Sequence, residues 1–309
     1  MTVSSSDSNS TTRRNWLRAC MAMMPSALGG CTGPVGSSLA GGSARKARAQ
    51  WEFQHYFLAS GARFRYHPYG GQGRAWTKEM QRFYEAHRYD SRVGYVVKNL
   101  HTGVYHALFQ ADRLFMGGSM PKPMIAAMLL EKRGGALSYE EFMHAVMVCD
   151  KSVNSSWMAL QARLTGTDEA AFDAKYHLPT SHVLANQLSP RFVAEFYERC
   201  VNYRFDHGGE FLLEAMRRDQ YGFGRLFLPR TVSYVGGKTG NCGEWDHESL
   251  FFYHGNVPYS IVVFTSGDFS PGKMNWPIAA LIGGLFRDYL AGSPSRTILE
   301  EVRPAIRSS

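Results

Sequence analysis

The sequence predicts an α+β fold: a five-stranded antiparallel sheet covered by two terminal helices, with a helical lobe inserted between its strands. Three observations carry this. Strand-like segments come in runs, first two and then three, instead of alternating with helices. Helical patterns fill the stretch between the two runs. An amphipathic helix precedes the first run and another follows the last.

Taken in order, residues 1–31 read as an export signal. Thr12-Arg13-Arg14-Asn15-Trp16-Leu17-Arg18 resembles a twin-arginine signal, followed by an apolar stretch from Ala19 to Leu28 that is too short to span a bilayer. Leu28-Gly29-Gly30-Cys31 resembles a lipobox, which makes Cys31 the expected lipidation site and implies a periplasmic, membrane-anchored protein. Residues 32–50 are Gly, Ser, Ala and basic residues, a tether. Residues 51–75 are aromatic and glycine-rich without a period and are grouped with the tether.

The expected catalytic domain spans 76–292, with a tail at 293–309. Trp76, Met80, Phe83, Tyr84 and His87 fit one helix face. Val93 to Asn99 and Val104 to Gln110 read as a hairpin turning at His101-Thr102-Gly103. The lobe, about 119–230, opens with Gly118-Ser119-Met120-Pro121-Lys122 and a helix apolar nearly all round, Ile125 to Leu130, which ends at Gly134-Gly135. Ser138-Tyr139-Glu140-Glu141 is a capping box for a helix to about Val148. Trp157, Leu160 and Leu164 mark a helix stopped by Gly166. Ser189-Pro190 caps another, with Phe192, Val193, Phe196 and Cys200 inward. Gly208-Gly209-Glu210-Phe211 reads as a turn opening a helix. Ser233 to Thr239, Ser249 to His254 and Ser260 to Thr265 read as strands, and Pro277 to Leu290 as the closing helix.

The chain has 309 residues, 44% of them apolar, so a sizeable core is available. The net charge is +8, but Arg13, Arg14, Arg18, Arg45, Lys46 and Arg48 lie in the signal and tether. The modest remainder suits an anionic wall polymer or lipid surface, and no nucleic-acid motif is present. With Cys20 in the signal and Cys31 lipidated, Cys149, Cys200 and Cys242 remain, allowing at most one disulfide. No metal-ligand pattern occurs, no cofactor is implied, and a monomer is expected.

The chemistry starts from Ser119. A serine hydroxyl is a weak nucleophile unless a base takes its proton, and Lys122, three residues on, shares its helix face. A lysine serves as that base when burial and nearby positive charge favour its neutral form. Two other Ser-x-x-Lys sequences, at Ser43 and Ser270, start no apolar helix. Ser119 opens an apolar helix and is followed in order by Ser152-Val153-Asn154, ahead of the Trp157 helix, and by Lys238-Thr239-Gly240 at a strand end, then Asn241-Cys242-Gly243.

Ser-x-x-Lys, Ser-x-Asn and Lys-Thr-Gly in that order form the signature of penicillin-recognising serine enzymes. Over roughly residues 76–290 the chain resembles class A β-lactamases and D-alanyl-D-alanine peptidases. The resemblance implies the β-lactamase/transpeptidase-like fold and a substrate that is a β-lactam or a peptidoglycan D-Ala-D-Ala peptide. Ser119 would attack the carbonyl and Lys122 accept its proton. Ser152 would protonate the departing nitrogen. Lys238 would keep the site electropositive, favouring the neutral form of Lys122, and with Thr239 would hold the substrate carboxylate; Asn154 would bond the substrate's side-chain amide and orient Lys122. The oxyanion would lie between the amides of Ser119 and Asn241, with Gly240 beside them on the strand.

Two departures stand out. Class A β-lactamases carry Glu-x-x-Leu-Asn between the second and third motifs, where the glutamate activates the deacylating water. Here no acidic residue occurs from Lys175 to Ala194, and the nearest echo is His182-Val183-Leu184-Ala185-Asn186. Some relatives also pair a cysteine beside the nucleophile with one after Lys-Thr-Gly; Cys242 fits the second position, but Gly118 occupies the first. The expected function is therefore a serine hydrolase inclined towards wall peptides or slow β-lactam turnover. The rivals are an inactive wall sensor or scaffold, and an esterase using the same Ser/Lys pair.

Overall fold

The computed structural model describes residues 70–202, 204–217, 222–267, 276–292 and 300–301. The expectations for the export signal, the lipobox and nearly all of the tether fall outside them.

Helix α1 (Lys78–His87) begins where the Thr77 hydroxyl accepts from the Met80 amide. Strands β1 (Val93–Asn99) and β2 (Tyr105–Phe109) form the expected hairpin, its turn held by the Asn99 side chain accepting the amides of His101 and Thr102. A two-residue strand β3 (Phe115–Met116) then leads into the lobe: α2 (Lys122–Lys132), α3 (Tyr139–Asp150), α4 (Asn154–Gln161), α5 (Gly166–Tyr176), strand β4 (Gln187–Leu188), α6 (Pro190–Val201) and α7 (Gly209–Met216). The chain returns to the sheet through β5 (Val232–Cys242), β6 (Trp245–His254) and β7 (Val257–Thr265), then closes with α8 (Trp276–Tyr289) and a two-residue strand β8 (Glu300–Glu301).

The sheet order is β5-β6-β7-β1-β2-β8. The first five strands are antiparallel, as expected; β8 adds a short parallel edge beside β2 that the sequence did not suggest. Both faces are buried, so β1 and β7 read as largely apolar runs. Val96, Val262 and Phe264 face the lobe, while Val97, Ile261 and Val263 pack under α1 and α8. Every residue of α2 from Lys122 to Leu130 is buried, which makes it the lobe's central helix. Truncating one of its larger apolar side chains, such as Ile125, to alanine costs about 2–5 kcal/mol.

Three local readings are corrected. Gly166 does not merely stop a helix: it opens α5, capped reciprocally by Thr165 and Asp168. Lys238-Thr239-Gly240 is not a strand end, because β5 continues to Cys242 and β6 starts at Trp245, before the expected Ser249. Strands β3 and β4 form a second, two-stranded sheet beside the nucleophile turn. The capping box at Ser138 and the Ser189 cap form as read, and Gly208, in a left-handed conformation, opens α7.

Candidate active site

Ser119 lies in the turn between β3 and α2. Pro121 and Pro123 occupy the cap and first turn of α2, where amide hydrogens have no intrahelical partner. Ser119 is half-buried, but Lys122, the first residue of α2, is fully buried. Its Nζ lies 2.9 Å from Ser119 Oγ, 3.1 Å from Ser152 Oγ, 2.6 Å from the Ser152 carbonyl and 2.7 Å from Asn154 Oδ1. As an ammonium, Lys122 offers three protons to these four oxygens. As an amine it offers two, and a lone pair to which a hydroxyl can donate. The Trp157 ring, 5.4 Å away, covers the amine.

Ser152 reaches Lys122 through backbone strain. Its φ of 56° is in the left-handed region, which costs a non-glycine residue about 1–2 kcal/mol. That conformation turns both its hydroxyl and its carbonyl onto one nitrogen. Asn154, the exposed first residue of α4, supplies the remaining contact through its Oδ1.

The third motif approaches from β5. Lys238 and Thr239 are buried, and the Lys238 amine donates to the Thr239 carbonyl at 3.2 Å. Beyond them, bare backbone meets bare backbone. A Cβ on Gly240 would lie 2.3 Å from the Gly117 carbonyl oxygen, and one on Gly118 would lie 2.8 Å from the Asn241 nitrogen. Gly118 also has a φ of 59°. This contact puts the amide-bearing edge of Asn241 against the Ser119 turn, while the Asn241 side chain turns away to donate to Asp246. It also explains why no cysteine stands at position 118. Cys242 is an exposed free thiol; Cys149 and Cys200 are buried and free, and burial pushes the Cys149 thiol up to about 12.

A shallow cleft runs along β5, lined by Arg217, Arg225, Lys238, Thr239 and Glu248 among others. The sequence singled out Lys238 and Thr239. It gave no signal for Arg217, at the C-terminal cap of α7, and Arg225, in a short 3-10 turn (Gly224–Leu226), which stand outside any motif. On the other side, the loop before β4 meets the nucleophile turn, where the Gly117 amide donates to the Asn186 carbonyl at 2.8 Å. Asn186 adopts a left-handed φ of 58°. Its buried Oδ1, without a protein partner, lies 3.0 Å from where a Gly117 Cβ would be. His182 is exposed, its backbone paired with Gln187. Glu169 on α5 holds this loop by accepting the Val183 amide.

The structure thus brings Ser119, Lys122, Ser152 and Asn154 to one nitrogen, sets Gly240 and Asn241 against the serine turn, and places Lys238 and Thr239 in the adjoining cleft. An antiparallel sheet with an inserted helical lobe and a Ser/Lys pair at the head of the lobe's central helix defines a serine β-lactamase-like hydrolase. The chain belongs to the beta-lactamase enzyme family, whose model matches residues 126–285. That span begins after Ser119 and Lys122 and includes the second and third motifs. The structure is similar to a beta-lactamase from Desulfarculus baarsii, at 14% identity and a TM-score of 0.56, covering 70% of this chain and 98% of that one. It is also similar to a class A beta-lactamase from Mycobacterium abscessus, at 16% identity and a TM-score of 0.54, covering 68% and 98%. At these identities the likeness is one of fold. No match among curated proteins was found.

Proposed function

We propose that this hydrolase forms an acyl-enzyme at Ser119 with β-lactams or D-alanyl-D-alanine wall peptides. The observation that carries the reading is the convergence of Ser119 Oγ, Ser152 Oγ and Asn154 Oδ1 on the buried Lys122 amine. In acylation, Lys122 as the free amine takes the Ser119 proton while Oγ bonds to the substrate carbonyl carbon. The resulting oxyanion is held by the Ser119 and Asn241 amides. The carbon–nitrogen bond then breaks, and Ser152 passes its proton to the leaving nitrogen and is reprotonated from Lys122. Lys238 and Thr239, with Arg217 and Arg225 in the same cleft, suit a substrate carboxylate.

Deacylation is the slow half for a β-lactam. No acidic residue lies between Lys175 and Ala194 to activate a water against the ester. General-base help is worth about 10²–10⁴ in rate, so its loss leaves a long-lived adduct. The preferred substrate is therefore a wall peptide, whose departing amine leaves room for a water next to Lys122. We also propose that the protein is exported and lipid-anchored at Cys31, on the order of the motifs in residues 12–31. The test is a fluorescent-penicillin time course on wild type and Ser119→Ala, run beside chromogenic cephalosporin and nitrophenyl ester hydrolysis. The expected result is stable labelling of wild type only, with slow cephalosporin turnover. Rapid sustained cephalosporin hydrolysis contradicts the slow-turnover reading, and ester hydrolysis without labelling favours the esterase.

A further inference from the structure

Strand β6 lies between β5 and β7 in the buried sheet, yet it begins with a charged and polar run. Asp246, His247, Glu248 and Ser249 are 5%, 2%, 1% and 0% exposed. Burying a polar side chain is costly unless it is hydrogen-bonded, and apolar residues would fill a central strand at lower cost. Each of the four has a partner, and the partners lie on segments around the site. Asp246 accepts from the Asn241 side chain. Glu248 accepts the Gly224 amide at 2.8 Å and the Phe223 amide at 3.2 Å, beside the cleft. Ser249 donates to the Lys238 carbonyl at 3.1 Å and shares a 2.5 Å hydrogen bond with Tyr197.

Ser249 also touches the nucleophile turn, its hydroxyl 3.9 Å from Met120 Sδ, but His247 is the one whose ring hydrogen-bonds the backbone leading into it. Its Nδ1 accepts the Thr265 amide at 3.2 Å, so the proton of the neutral ring sits on Nε2, which donates to the Met116 carbonyl at 2.6 Å. Met116 precedes Gly117-Gly118-Ser119. The same ring stacks on Phe264 at 4.3 Å, and its Cδ2 is 3.2 Å from where a Gly240 Cβ would be. One imidazole therefore touches the carbonyl leading into the serine turn, the underside of Gly240 and the β7 backbone.

We infer that His247 is a positioning residue that fixes the spacing between the Ser119 turn and the Asn241 amide, with Asp246, Glu248 and Ser249 holding the surrounding backbone. It touches no substrate; it acts through Met116 and Gly240. Its catalytic consequence rests on the acylation reading above, but the clamp itself does not.

The test uses the full chain with His247→Phe, which keeps a stacked ring and removes both hydrogen bonds, and His247→Gln, whose amide can both donate and accept. Thermal melting selects the folded variants. Hydrogen–deuterium exchange of the peptide containing Met116–Met120 reads the clamp, and a fluorescent-penicillin series separates the acylation rate from the initial binding constant. In His247→Phe, exchange in that peptide is expected to quicken and the acylation rate to fall about 10- to 100-fold, with initial binding little changed. His247→Gln is expected to recover most of both. If the phenylalanine variant does not fold, His247→Asn, too short to span both partners, takes its place. Unchanged exchange in a folded variant overturns the clamp, whatever labelling does. If wild type does not label, the acylation reading fails, and exchange still decides the clamp.

Discussion

Gly118→Ala probes the contact on which the proposed oxyanion site depends. The left-handed φ of 59° costs an alanine about 1–2 kcal/mol. The added Cβ would also sit 2.8 Å from the Asn241 nitrogen, 3.0 Å from its carbonyl carbon and 3.1 Å from its oxygen. All three are backbone atoms, so either β5 or the serine turn must retreat by about half an ångström to restore ordinary contact. The combined loss is about 2–3 kcal/mol, a fall in Tm on the order of 5–10 °C for a domain of this size. The retreat also separates the two amides that must meet one oxygen. Removing an oxyanion donor outright costs about 10²–10³ in rate, so a loosened one should slow acylation about 10- to 100-fold. Gly134→Ala is the control: Gly134 has nearly the same φ, 60°, with nothing within 4 Å of an added Cβ. It should show the backbone cost alone and label like wild type. The assay is the acylation rate with a fluorescent penicillin, beside thermal melting. Equal labelling rates in the two variants would refute the reasoning.

Three further predictions concern titration and export. Burial holds His247 at about 4, below its ordinary 6.5, so as pH falls from 6.5 to 4 the unfolded chain gains a proton that the native chain does not. Native stability should therefore drop by up to about 3 kcal/mol across that window through this group, and denaturant midpoints for His247→Gln should lack that part of the slope. Asp173 behaves oppositely: burial, helped by the Glu169 charge, raises it from 3.8 to about 7, so the native chain keeps a proton that the unfolded chain releases. Its contribution declines as pH rises from about 4 to 7, and Asp173→Asn should melt higher than wild type at pH 8; an equal or lower Tm contradicts this. Cys31→Ala should move the protein from the membrane to the soluble fraction, and replacing Arg13 and Arg14 by Lys should block export; an unchanged membrane fraction for Cys31→Ala removes the lipid anchor.

What the sequence revealed tracks local signals. Ser138 and Ser189 cap their helices as read, because a cap is a contact within one turn. The three motifs were legible as residue types, and Lys122 was expected to reach Ser119. The contact of Asn154 to the same nitrogen was expected from the resemblance, whereas the paired contacts of the Ser152 hydroxyl and carbonyl come with a left-handed φ at Ser152, which no spacing announces. Helix α5 was missed because Gly166 resembles a stop, although Thr165 and Asp168 spell a capping box with aspartate in place of glutamate. The extension of β5 through Gly240-Asn241-Cys242 and the start of β6 at Trp245 were missed for one reason. Glycine and buried polar residues lower strand propensity, and here they are present because the site needs close backbone approach and hydrogen bonds. His247 was invisible as a clamp because its partners, Met116 and Thr265, are distant in sequence.

The central claim is that Ser119 becomes acylated. Peptide-mapping mass spectrometry after a penicillin pulse tests it most directly. The account predicts one penicilloyl group per chain, on the peptide containing Ser119, persisting for minutes after excess drug is removed and absent from Ser119→Ala. An adduct on a peptide containing Ser43 or Ser270, or no adduct on the folded protein at saturating drug, would contradict it.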